Sequence, residues 1–94
     1  MGATETPRWQ VRWTGEAQRS LKHLPPRLVP AIFSFANDKL AVNPWRVSNA
    51  LHEPLEKYRS GSVGPYRLLV EIDAAAATVY IVKAAYHADV YRPL

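Results

Sequence analysis

Ninety-four residues leave room for one hydrophobic core and no second domain, because a chain this short buries only about two-thirds of the surface that its unfolded form exposes. Residues 1–94 are therefore expected to form one domain. Enough apolar material is present to build that core: 48% of the residues are hydrophobic and 21% charged, a balance that excludes a disordered or low-complexity chain. The chain has no cysteine, which rules out disulfides and cysteine-rich zinc sites. No charged start is followed by the apolar run of a signal peptide. The most apolar stretch, Ala74 to Val82, is nine residues long, against the roughly 20 needed to span a bilayer. The expectation is a cytoplasmic protein with no membrane partner. Met1-Gly2 with Thr6 fits the N-myristoylation pattern, but so short a pattern arises often by chance.

Twelve Lys and Arg against eight Asp and Glu give a net charge of +4. A polyanionic partner is favoured over a merely solvated basic surface, because the charge is local. Lys39, Arg46, Lys57, Arg59 and Arg67 are opposed by only Glu53 and Glu56 between positions 39 and 67.

Trp9 to Thr14 alternates apolar and polar residues, so Trp9, Val11 and Trp13 are expected on the buried face of a first strand. Thr14 can cap a short helix in which Ala17, Leu21 and Leu24 share one face before Pro25-Pro26 stops it. A second helix fits Arg27 to Leu40, with Leu28, Ile32, Phe35 or Ala36, and Leu40 as its apolar stripe. Pro30 is confined to its first turn, and Asn43-Pro44 ends the helical region. Strands are expected over Leu55 to Ser60, Tyr66 to Ile72 and Thr78 to Ala85. Gly64-Pro65 and the segment from Asp73 through the alanines make the turns. Leu68 to Ile72 is nearly continuous in apolar character, as a central strand should be. If the C-terminal segment is extended, His87, Asp89 and Tyr91 project to one side and Ala88 and Val90 to the other. The fold class is α+β, two N-terminal helices packed on one face of an antiparallel sheet of about four strands. The opposite sheet face is left as the candidate functional surface.

Four pieces of the sequence occur in the order and spacing of a known family: Ala17-(x3)-Leu21-(x2)-Leu24, Asn43-Pro44 with Leu51 after it, Val63-Gly64-(x)-Tyr66-Arg67, and His87-(x)-Asp89-Val90-Tyr91-Arg92. With the pattern of elements, they make the chain resemble the RelE-like branch of the RelE/ParE toxin superfamily, from Trp13 to Arg92. The resemblance implies helices on a curled antiparallel sheet and cleavage of messenger RNA in the ribosomal A site. It also implies neutralisation by a cognate antitoxin, an acidic amphipathic segment that folds on binding, through which alone operator DNA is reached.

In that chemistry the ribose 2′-OH is the nucleophile and no metal or other cofactor is required. The protein supplies a base, cations for the extra phosphate charge, and an acid for the departing 5′ oxygen. The scattered positions of His23, His52 and His87 agree with a metal-free scheme. The resemblance points to Arg67, His87 and Tyr91 as catalytic residues; Arg59, on the strand before the turn, joins them as a candidate, and Lys57, Arg46, His52, Lys83 and Arg92 are candidates for RNA binding, with solvated surface as the equal alternative for Arg59 and Lys57. Arg67 offers a planar fork to phosphate, with a salt bridge to Glu71 or another acid as its alternative use. Tyr91 can stack on a base or donate a proton, or else pack into the core. The chain also departs from the family, with Ser62 where many members have arginine, Ser48-Asn49 where a basic residue is common, and Val70 in place of an aromatic. His87 replaces the usual C-terminal arginine, and an imidazole can take or give a proton near neutrality. The same resemblance leaves two alternatives: a non-catalytic ParE-like toxin that inhibits a protein target such as DNA gyrase, and a form that only binds its antitoxin.

Overall fold

The structure, a computed structural model, describes residues 8–91. Arg92 and the Met1-Gly2 pattern lie outside the described residues. The alternating segment forms strand β1 (Gln10–Trp13), with Trp9 just before it, and Thr14 then caps helix α1 (Gly15–Leu21). Its Oγ1 accepts from the Ala17 backbone N–H at 3.1 Å and donates to the Ile81 carbonyl at 3.1 Å, so one hydroxyl both starts the helix and ties it to the sheet. The expected second helix is one helical run of three geometries: a 3-10 turn (Pro26–Leu28), helix α2 (Val29–Phe35) with Pro30 in its first turn, and a π-helical turn (Ala36–Leu40). Ile32, Ala36 and Leu40 are fully buried along it, which is the stripe the spacing predicts.

Four further strands follow: β2 (Ser48–Ala50), β3 (Arg59–Val63), β4 (Tyr66–Asp73) and β5 (Thr78–Tyr86). The sheet has five strands in the order β1-β5-β4-β3-β2, and β1 runs parallel to β5 while the other pairs are antiparallel. Two expectations are corrected here, the count of about four and the wholly antiparallel sheet. The helical segment crosses over the sheet between β1 and the rest, which lets the first strand return alongside the last. Beyond β1, the exposed edge of β5 is covered by α1, where the Ser20 hydroxyl accepts from the Ala84 N–H at 3.0 Å. The third strand also begins later than expected. Hydrogen bonds from Leu55 N to His52 O and from Tyr58 N to Leu55 O, both 2.9 Å, wind that stretch into turns.

The core lies on one face of the sheet, where Leu68, Val70, Val79, Ile81 and Ala84 meet Ala17, Leu24, Ile32, Ala36 and Leu40. On β5 the inward residues are Val79 and Ile81 and then Ala84, because Val82 is an extra residue between the pairs Val70–Ile81 and Leu69–Lys83. Gly64, at φ +59° and followed by a proline of fixed negative φ, gives the β3–β4 connection the pattern of a type II′ hairpin. Gly61 is required for closeness: a Cβ there would stand 2.9 Å from the Phe35 ring. Gly61→Ala is expected to cost about 1 kcal/mol as that ring swings aside, lowering the thermal midpoint by a few degrees. An unchanged midpoint would show that the ring gives way freely. Among the described residues no helix is long and apolar enough to cross a membrane.

Candidate nucleic-acid interface

Strand alternation assigns the outer face of the sheet, away from the helices, row by row. One row runs Asn49, Ser60, Leu69, Lys83, and the next runs Ser62, Arg67, Ala85. Toward the β4–β5 turn the rows are Arg12, Tyr80, Glu71 and then Gln10, Thr78, Asp73. The face is therefore polarised, with Arg67 and Lys83 toward the β3–β4 turn and Glu71 and Asp73 at the other end. A phosphate is attracted to the first end and repelled by the second.

Arg67 donates through Nη1 to the Gly64 carbonyl at 2.9 Å and the Tyr66 carbonyl at 3.0 Å. Its hydrogen bonds thus go to the turn and not to Glu71, which lies four residues along the same strand. These contacts aim the guanidinium along the strand end and leave Nε and Nη2 for an anion. His87 joins Arg67 there, since its backbone N–H donates to the Pro65 carbonyl at 3.0 Å. Its imidazole is exposed and stands 4.4 Å from the Tyr86 ring.

The C-terminal segment is not extended. Residues 87–91 turn back, with Asp89 N donating to the Tyr86 carbonyl at 2.8 Å. Val90 is buried, whereas His87, Ala88, Asp89 and Tyr91 are all exposed, so the expected division into two sides does not hold. The turn passes over Lys83, whose Nζ reaches the Asp89 carbonyl at 3.4 Å and which is only 6% exposed. Lys83 is thus a buried cation under the turn and not a surface grip. Tyr91 is exposed, which leaves it open to a ligand and sets aside core packing.

Arg59 is placed elsewhere. It pairs with Val70, on the helix side of β3 and three positions along the strand from Ser62. Its Nε donates to Ser48 Oγ at 2.7 Å, and its Nη2 to the carbonyls of Ser48 at 2.7 Å and Trp45 at 3.2 Å, with the guanidinium 5.1 Å from the Trp45 ring centre. The buried Ser48 hydroxyl passes the contact on to the Pro44 carbonyl at 2.6 Å. This clamp pins the segment after Asn43-Pro44 against β3 and creates β2, a strand with no pattern of its own in the sequence. Arg59→Ala is expected to lower stability by about 2 kcal/mol in urea unfolding, with Lys rescuing little because it lacks the fork. Unchanged stability with lost RNA cleavage would instead return Arg59 to the RNA.

Arg46, His52 and Lys57 are exposed in the segments flanking β2, and Lys57 lies 5.0 Å over the Tyr58 ring. The structure therefore brings Arg67 and His87 together at the β3–β4 turn and leaves Tyr91 exposed in the turn after β5, which passes over buried Lys83. It holds Arg59 on the helix side of β3, the face opposite Arg67. Sequence reasoning passed over Tyr86, the exposed last residue of β5. Its one signal was an aromatic beside the motif histidine. Among the described residues no group of three His, Cys, Asp or Glu side chains could hold a metal ion.

A β-rich α+β domain with a basic strand end beside its hairpin turn is the class that fold and site define. The chain is 40% identical over 84 residues to Toxin RelG of Mycobacterium tuberculosis, spanning 89% of this chain and 97% of that protein. It is 32% identical over 84 residues to Toxin RelE of the same organism, spanning 89% and 87%. The crystal structure of the toxin–antitoxin complex RelBE2 from M. tuberculosis contains a chain that matches with a TM-score of 0.82 and 38% identity, over 90% of this chain and 98% of that one. No family profile matches the chain. The chain belongs to the RelE-like toxin superfamily.

Proposed function

We propose that this protein is the toxin of a type II toxin–antitoxin pair and that it cuts messenger RNA on the ribosome without a metal. The observation that carries the reading is the strand end where Arg67, held by two turn carbonyls with nitrogens to spare, shares the β3–β4 turn with His87. In the reaction the 2′ oxygen bonds to phosphorus and its proton passes to a base, while the P–O5′ bond breaks and the 5′ oxygen takes up a proton. The products are a 2′,3′-cyclic phosphate and a free 5′-hydroxyl. Arg67 neutralises the charge that builds on the phosphate, His87 exchanges a proton, and Tyr91 stacks on a nearby base.

The partner in the cell is a cognate antitoxin, a reading supported by the relative whose structure is a toxin–antitoxin complex. Its acidic, amphipathic segment covers the basic end of the sheet and holds the toxin in the cytoplasm until release, and only the antitoxin contacts operator DNA. The second reading, a non-catalytic toxin against a protein target, draws on the neutral Ser62 that pairs directly with Arg67. Expression in a bacterium with mapping of mRNA 5′ ends separates the two. Cuts in phase with codons support the nuclease, and DNA damage without such cuts overturns it.

A further inference from the structure

We propose that Lys83 is a positioning residue of the RNA-cleaving site, fixing the 87–91 turn so that His87 keeps its pose at the β3–β4 turn; this rests on the nuclease reading above. Lys83 stands on the outer face of the sheet, in the row of Asn49, Ser60 and Leu69, away from the helices. It is buried all the same, and so are Ser60 and Leu69. What passes over Lys83 is the turn itself, whose Val90 is 1% exposed although it takes no part in the core between sheet and helices.

Hydrogen bonds lead from Lys83 through this turn to the site. Its Nζ donates to the Asp89 carbonyl at 3.4 Å, and the Asp89 N–H donates to the Tyr86 carbonyl at 2.8 Å, which closes the turn. Inside that closure the His87 N–H donates to the Pro65 carbonyl at 3.0 Å, and Arg67 takes the carbonyls on either side, those of Gly64 and Tyr66. His87 is thus held at its own backbone and, two residues on, through Lys83. The direction in which its imidazole leaves the chain depends on the backbone on both sides, so both holds bear on where the ring can act.

Packing alone does not call for a lysine here. Methionine or leucine would fill a buried position without desolvating an ammonium, and exchanges of buried charge for apolar bulk are often neutral or stabilising. The ammonium adds what those side chains lack, a donor for a backbone carbonyl in a turn that has left the strand ladder.

The test is single-turnover cleavage of mRNA in programmed ribosomes, with toxin concentration and salt varied, for Lys83→Met alone and combined with His87→Ala. Lys83→Met is expected to lower the maximal rate about tenfold, since even a displacement of about 1 Å is costly to a catalytic group. The half-saturating concentration should stay within about twofold and its salt dependence unchanged, because a buried lysine grips no phosphate. The thermal midpoint should be no lower than the parent's, and Lys83→Leu should behave in the same way. In the His87→Ala background Lys83→Met should cost less than about twofold, because the group that Lys83 positions is gone. Lys83→Arg keeps a donor for the Asp89 carbonyl and should recover part of the rate.

A parental maximal rate in Lys83→Met, or a loss repeated in full in the His87→Ala background, overturns the inference while the nuclease reading stands. A midpoint lowered in both apolar variants makes Lys83 a residue that holds the fold, and a raised half-saturating concentration with a weaker salt dependence returns it to the RNA; each overturns the inference as well. A parent that cuts no mRNA overturns the nuclease reading, and the inference with it.

Discussion

Arg67→Ala is expected to slow single-turnover cleavage of ribosome-bound mRNA by about 100- to 1,000-fold, the usual effect of removing one preorganised donor from a charge that develops in the transition state. The effect belongs at the large end because the outer face has so little to substitute for it. Ser60 and Ser62, its neighbours on β3, are neutral, and Lys83 is turned into the 87–91 fold. The fold should barely notice the change. The two carbonyls that Arg67 touches belong to a hairpin turn, where water can replace the guanidinium at a cost of about 1 kcal/mol or less. Arg67→Lys should recover only part of the rate, since an ammonium on a flexible stem offers a point charge and no fork. A loss smaller than tenfold in Arg67→Ala would remove the residue from the chemistry.

His87→Ala should be nearly as damaging, with a fall in rate of about 100-fold or more, the range for a lost general acid or base. What fixes this position is its backbone N–H on the Pro65 carbonyl, so alanine there keeps the strand end intact and the effect reads on the imidazole alone. His87→Arg is the informative variant. If the imidazole mainly supplies positive charge to the phosphate, arginine restores most of the rate; if it moves a proton, arginine restores little, because a guanidinium hardly releases one. Cleavage by His87→Ala at the parental rate would make His87 a structural residue and shift the proton transfers to Tyr91.

How far the sequence alone could be read depended on whether a residue's neighbours were local. The apolar spacing of Ile32, Ala36 and Leu40 and the alternation of Trp9, Val11 and Trp13 are written in single segments, and the structure has both. The run Leu68 to Ile72 declared a central strand, and β4 is the middle strand of five. By contrast, β2 exists because Arg59, nine or more residues away in the chain, clamps Ser48, and nothing in Ser48-Asn49-Ala50 says so. The same distance explains why Arg59 was expected at the phosphate. Its type and place in a basic tract suited the role, but strand phase put it on the helix side. The 87–91 turn was missed for a further reason, since alternating Ala88 and Val90 look like an extended strand until the bond from Asp89 N to Tyr86 O closes it. Of the expected site, Arg67 and His87 meet at the β3–β4 turn, Tyr91 lies exposed in the turn after β5, and Arg59 lies on the other face of the sheet.

The extra residue Val82 makes β5 a strand with two grammars. Counting by twos from Val79 and Ile81 would send Lys83 inward beneath the helices and turn Ala84 outward, burying a charge in the core and spending a small apolar residue on solvent. The added residue shifts the count, so the half of β5 that builds the core and the half that carries the site obey opposite parities. Each half can then accept changes suited to its own task. The half before Val82 packs Val79 and Ile81 against the helices, and the half after it still gives Ala84 to the core while Lys83 and Ala85 face outward.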